Sequence, residues 1–249
     1  ATVPIFYESR LPDVQIQGGE TLDQLFDRMF GDLSPDEREA LKRRYGTETA
    51  IAGAPQRVKR VCLDLMDNFE NYIRPNGLKA QIVVPTRDIA VTYKETLDSL
   101  NGPASALIMS GTNDDTARLA RWHRSEEEID TYIRQFKDRD DPLSVLIVCD
   151  MLLTGFDAPA EQVMYLDSPL RDHTLLQAIA RVNRTSDGKT YGLVVDYWGV
   201  SNRLTDALAI FDPGEIQDAM TPLDDNFAEV QVLHRAAMRF FSKVNREDL

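Results

Sequence analysis

From residue 80 onward, short β-branched runs alternate with helical stretches, and this alternation constrains the fold more than any other feature of the 249-residue chain. Five runs read as strands: Gln81–Val84, Ser105–Met109, Ser144–Cys149, Gln162–Leu166 and Tyr191–Tyr197. The segment between the first two carries Ile89, Tyr93, Leu97 and Leu100 at helical spacing. The next carries Ile129, Tyr132, Ile133 and Phe136. A further helix is expected from Asp172 to Arg184, with Leu175, Leu176 and Ile179 apolar, and another over residues 200–211. Strands alternating with helices in this way imply an α/β fold, a parallel sheet with helices on both faces.

The flanking regions are read differently. Residues 3–8 form a strand that Pro4 restricts to a sheet edge or to its own first positions. Residues 11–75 form an N-terminal helical segment in which Val58, Val61, Cys62, Leu65, Phe69 and Tyr72 give one apolar stripe from about Pro55 to Arg74. Pro55 suits a first helical turn, and R-P-N-G at Arg74 to Gly77 is a stop signal. D-P-G at Asp212 to Gly214 breaks the pattern, which sets a unit of residues 1–213 apart from a C-terminal helical region, 214–249.

Charge and composition limit the function. The net charge of −13 has the wrong sign for a chain that grips nucleic acid over its whole surface, so phosphate contacts must be local. No run approaches the 18 apolar residues of a membrane span, and the opening residues lack a signal-peptide pattern, so the chain reads as soluble and without a membrane partner. Cys62 and Cys149 lie in apolar periodic stretches and are expected as buried free thiols, which fits a reducing cytoplasm. His123, His173 and His234 are far apart and make no metal-ligand spacing with them.

In an open parallel sheet, ligands gather beyond the carboxyl ends of the strands, so residues just after each run carry the chemistry. Thr86, in P-T-R-D, either caps the following helix alone or also presents backbone N–H groups to a phosphate. In D-M-L-L-T-G-F-D-A-P, Gly155 permits close backbone approach, while Thr154 and Asp157 supply a hydroxyl and a carboxylate suited to a phosphate and a ribose; a capped turn explains the same residues. In Q-A-I-A-R-V-N-R, Arg181 and Arg184 share a helix face with Gln177; two such guanidiniums are usually solvated or paired with carboxylates, but planar forks issuing from the ligand edge suit a γ-phosphate. Residues 171–190 carry a net charge of +2, against −13 for the whole chain.

These two motifs and their spacing resemble motifs V and VI of superfamily-two helicases and translocases. The longer string F-K-D-R-D-D-P-L-S-V-L-I-V-C-D-M-L-L-T-G-F-D-A-P, followed by M-Y-L-D-S-P-L-R-D-H-T-L-L-Q-A-I-A-R-V-N-R and G-L-V-V-D-Y, resembles the motor (R) subunit of type I restriction enzymes. The resemblance runs from Phe136 to Tyr197, extends less closely over Gln81 to Gly111 and the first ten residues, and departs at Ala180, where many helicases carry Gly. It implies the second RecA-like lobe of a double-stranded DNA translocase. Arg181 and Arg184 would be arginine fingers, with Gln177 and Gly155 near ATP, Asp157 at the ribose, and Thr86 and Thr154 near the DNA backbone.

The chain lacks a G-x-x-x-x-G-K-[ST] phosphate loop. Its nearest string, N-R-T-S-D-G-K-T, begins at Asn183 and precedes a strand, so Gly188 and Lys189 read as a turn. Neither a D-E-x-H box nor a nuclease signature is present. The resemblance therefore implies that ATP and Mg²⁺ are held mainly by a first RecA-like lobe, with a nuclease domain in the same subunit, methyltransferase and specificity subunits as partners, and double-stranded DNA as the track. Alternatives are a motor lobe of another superfamily-two helicase or remodeller, or a RecA-like interaction domain without catalysis.

Overall fold

The computed structural model describes residues 2–10, 34, 49, 52–149, 151–152, 156–170, 172–199 and 220–222. Seven strands form one sheet: β1 Ile5–Ser9, β2 Lys79–Val83, β3 Ser105–Ile108, β4 Val145–Val148, β5 Glu161–Leu166, β6 Gly192–Asp196 and β7 Met220–Pro222. Their spatial order is β3-β4-β2-β5-β6-β1-β7, and every neighbouring pair is parallel. The α-helices among the described residues are α1 Pro55–Asn68, α2 Arg87–Ser99, α3 Ala117–Ala120, α4 Glu126–Lys137 and α5 Asp172–Ile179.

The α/β expectation holds, and the side chains show why. Strands β2, β4, β5 and β6 are buried at every position, because both sheet faces are covered. On one face Ala80, Ile82, Val163 and Tyr165 pack under α1 and α2 through Val58, Cys62, Leu65, Tyr93 and Leu97. On the other, Val83, Leu146, Met164 and Val194 pack under Phe136 of α4 and Leu175, Ala178 and Ile179 of α5. Both cysteines are buried. No described helix is long and apolar enough to cross a membrane.

Local signals set the helix ends. Pro55 opens α1, which passes into a π-helical turn at Phe69–Ile73 and a 3₁₀ turn at Arg74–Asn76. Gly77 ends it at φ 65°, a left-handed conformation that glycine adopts without a Cβ penalty. Thr86 caps α2 by accepting from the Ile89 N–H at 3.3 Å. Ser125 and Glu128 form a capping box on α4, with three acidic residues in its first turn and Arg134 and Lys137 in its last, matching the helix dipole.

Of the two placements that Pro4 allowed, the structure takes the second: β1 lies between β6 and β7, because Pro4 stands just before the strand and withholds no N–H from the ladder. Two other expectations are displaced. Helix α5 stops at Ile179 instead of continuing to Arg184. The chain there tightens into i→i+3 turns, from Arg181 N–H to Ala178 O and from Val182 N–H to Ile179 O, and Asn183 O accepts from Val3 N–H at 3.0 Å. That bond joins the turn to the segment leading into β1. Finally, β7 lies beyond residue 213, so the sheet takes in part of the region expected to be separate. The helices expected over 200–211 and within 214–249, and most of 11–51, lie outside the described residues.

The sheet is tied to α1 by a buried ion pair. Arg57, 9% exposed, donates from both terminal nitrogens to the Asp167 carboxylate (1% exposed) at 2.7 and 2.6 Å, and also to Tyr197 O at 2.9 Å. Tyr93 Oη donates to the same carboxylate at 2.6 Å. Arg57→Ala leaves Asp167 buried without its counter-charge, and denaturant titration of the chain is expected to show a loss of about 3–5 kcal/mol. Gly192 is equally constrained, since a Cβ there would meet Val182 O at 2.3 Å. Gly192→Ala must push that turn away from the sheet, and the same titration is expected to show a loss of about 1–3 kcal/mol.

Candidate functional site

The two edges of the parallel sheet carry different residues. At the carboxyl edge stand Thr86, whose hydroxyl is occupied as the α2 cap, and Asp167, which binds Arg57. At the amino edge, Thr2 bridges to Arg184, Val3 N–H bonds Asn183 O, and Pro4 O accepts from Gly192 N–H, all before β1 begins. Helix α5 leaves the carboxyl edge and delivers its end to the amino edge. Arg181 and Arg184 therefore lie at the edge opposite Thr86, which corrects the expectation that their face issues from the carboxyl side.

The segment after β4 makes the same crossing. It leaves the carboxyl edge after Val148 and reaches the amino edge as Phe156, Asp157, Ala158, Pro159 and Ala160, immediately before β5. The crossing brings Asp157 to Arg184, with Arg184 Nε and Asp157 Oδ1 3.5 Å apart. Arg181, partly buried, donates to Phe156 O, one residue from Asp157. Gln177 is partly buried on the last turns of α5. Thr154 and Gly155 lie outside the described residues.

Burial separates these groups by what they can do. The Arg184 and Asp157 side chains are 54% and 59% exposed, so water screens their attraction, and such a pair is worth under about 1 kcal/mol. A bound anion or hydroxyl can displace it at little cost. Arg181 instead donates to a backbone carbonyl, which ties the end of α5 to the Asp157 turn.

Beneath this turn lie a buried lysine and a buried glutamate that no local sequence signal announces. Lys189, 5% exposed, donates from Nζ to Pro159 O at 3.3 Å and to Glu161 O at 2.5 Å. The Glu161 carboxyl is fully buried, and neither oxygen has a hydrogen-bond partner. Burial pushes it up to about 8, against the opposing pull of Lys189 and Arg181. Burial likewise lowers the Lys189 ammonium to about 8, opposed by Glu161. Gly188, at φ 69°, supports the turn expected there from D-G-K, but nothing local to that string announces that its lysine is buried.

Comparison with known proteins agrees with the motifs. Residues 108–199, which hold every amino-edge residue from Asp157 to Lys189, match the model of type I restriction enzyme subunit R domain 3. The type I restriction enzyme HindI endonuclease subunit of Haemophilus influenzae is 36% identical over 217 residues, 82% of this chain and 20% of that protein. A Methanocaldococcus jannaschii protein assigned as the MjaIXP endonuclease subunit is 31% identical over 99% of this chain and 24% of its own length. The chain belongs to the type I restriction enzyme R-subunit family. It spans a quarter or less of the length of these relatives. A fragment of a protein assigned as an HsdR subunit from Vibrio vulnificus YJ016 shares the fold, with a TM-score of 0.52 over 81% of this chain and 33% of that one, at 13% identity.

Glu161 gives this R-subunit segment a pH signature. Its folded carboxyl titrates near 8 rather than 4.5, so the stability of the neutral form is fully present below about pH 4.5 and is lost as the pH rises through 8. Glu161→Gln removes that loss. Unfolding titrations at pH 5 and pH 8.5 are expected to show the variant gaining on the parent chain at the higher pH, and an equal difference at both would exclude a raised carboxyl.

Proposed function

We propose that this chain is the second RecA-like lobe of an R subunit that couples ATP hydrolysis to double-stranded DNA translocation in the cytoplasm. The lobe runs from the first strand through residue 222, past the break at Asp212 to Gly214, and a C-terminal helical region follows it. The observation that carries the reading is the meeting of Arg184 and Asp157 at the amino edge, with Arg181 one turn away. Two guanidiniums and a carboxylate from segments 20 or more residues apart form a donor and acceptor set that suits a nucleoside triphosphate: forks for phosphate oxygens, an acceptor for a ribose hydroxyl.

In this reading the lobe completes a site whose phosphate cradle belongs to the first RecA-like lobe. Mg²⁺ is assigned to that other lobe as well, since in P-loop NTPases the phosphate loop and a neighbouring carboxylate hold it. Arg184 is the principal arginine finger. It leaves its weak pairing with Asp157 and directs its fork at charge developing on the γ-phosphoryl group, while Asp157 accepts from the ribose. Arg181 serves as the second finger and, through Phe156 O, fixes the distance between the two motifs. Gln177 and Gly155 border the nucleotide. Thr86 and Thr154 contact the DNA backbone, Thr86 from the carboxyl edge, opposite the edge that carries Arg184 and Asp157. The methyltransferase and specificity subunits supply modification and target choice, and a nuclease domain of the same subunit cuts.

A fork aimed at the transition state acts on turnover more than on binding. Trans-acting arginines in comparable NTPases are worth about 10³–10⁵ in rate. Arg184→Ala in the complete R subunit is expected to lower DNA-stimulated ATPase turnover at least about 100-fold with an unchanged thermal melt, and Arg184→Lys to recover little, since an ammonium lacks the planar fork. Near-normal steady-state turnover of the alanine variant would reduce the Arg184–Asp157 pair to surface decoration.

A further inference from the structure

The turn that carries Asp157 is held by a side chain from a different loop. We propose that Lys189 is a positioning residue for nucleotide recognition, its buried ammonium clamping the 156–161 turn so that Asp157 stands where a ribose hydroxyl arrives. This rests on the reading of Asp157 as the ribose contact.

Five backbone carbonyls of that turn are engaged. Arg181 donates to Phe156 O, Glu161 N–H closes onto Ala158 O at 2.9 Å, Lys79 N–H donates to Ala160 O at 2.9 Å, and Lys189 Nζ donates to Pro159 O and Glu161 O. Asp157 is the exposed acidic residue in the midst of these anchored groups. Lys189 reaches them from a tight turn in which its own N–H bonds Ser186 O at 3.0 Å and Gly188 takes the left-handed conformation. A lysine side chain is usually exposed, and burying an ammonium is costly for stability. Its three donors can bridge two carbonyls that no apolar side chain could hold. Both of these Lys189 Nζ bonds go to backbone carbonyls of the turn, so its effect on nucleotide would pass through the turn.

The test uses the complete R subunit assembled with its methyltransferase and specificity subunits on DNA. Steady-state ATPase is measured with ATP, 2′-deoxy-ATP and 3′-deoxy-ATP for the parent, Asp157→Ala, Lys189→Met and the pair Lys189→Met with Glu161→Gln. The double variant removes both buried ionisable groups and leaves no carboxyl without its counter-charge. The parent is expected to prefer ATP over one deoxy analogue by about 10-fold in kcat/KM, the worth of one hydrogen bond. Both Lys189 variants are expected to reduce that preference below about 3-fold, mostly by raising KM for ATP, with kcat within about 2-fold. Adding Asp157→Ala to either should change the preference no further, because the two residues act as one unit. If Asp157→Ala abolishes the preference while a normally melting Lys189 variant keeps it, Lys189 only supports the fold and the inference fails. If neither Lys189 variant assembles, its role is likewise in folding and the inference is overturned. If Asp157→Ala itself keeps the preference, the ribose reading falls first.

Discussion

Backbone carbonyls at the amino edge are the constraint on which the site depends. Each crossover of a parallel sheet returns the chain to that edge, and carbonyls turned away from the ladder must find donors. Long cationic side chains provide them. Lys79 Nζ donates to Asp141 O and Leu143 O at 2.6 and 2.7 Å, Arg139 reaches Asn76 O, Gly77 O and Asp187 O, and Lys189 and Arg181 serve the turn before β5. In a chain with 28 basic and 41 acidic residues, several cations thus act as internal cross-links rather than as surface charge. The segments that bear Asp157 and Arg184 are held by these links and by the sheet beneath them.

The contrast between two arginine–aspartate pairs shows how burial sorts identical chemistry. Arg57 and Asp167 are nearly inaccessible, bidentate, and joined by the Tyr93 hydroxyl, so they lock α1 and α2 to the sheet. Arg184 and Asp157 are more than half exposed and meet through one nitrogen at 3.5 Å. The first pair is expensive to break and has no solvent path to a ligand. The second is cheap to break and already faces solvent, which makes it available.

Much of the fold was legible because local signals and tertiary demand coincide. β-branched runs became buried strands, Thr86 and Pro55 opened the helices they were expected to open, and R-P-N-G ended the first. The site was legible as residue types at known spacing, but its geometry was not. Periodicity carries α5 to Arg184, whereas the chain tightens into i→i+3 turns after Ile179 and is joined at Asn183 O to Val3 N–H, in a segment about 180 residues away. The edge on which the arginines stand follows from that long-range bond and from the crossing at Phe156 to Ala160. Arg57 and Asp167 are 110 residues apart and carry no local signature of pairing. Lys189 looked like the tail of a turn because nothing in D-G-K reveals that its ammonium is buried.

The insertion of β1 between β6 and β7 has a consequence for how such a domain is made. Among the described residues, β6 completes its outer ladder with residues 5–9, and β7 in turn pairs with β1. Contacts that span almost 190 residues bear a large loop-closure entropy and slow folding. During synthesis the first strand emerges long before its neighbours exist, so its apolar Ile5 must wait in the open or be shielded. A dissection that begins after Arg10 would leave the outer side of β6 with an unpaired row of N–H and C=O groups, a template for edge-to-edge association. The first ten residues are thus the seam by which the sheet is sewn shut.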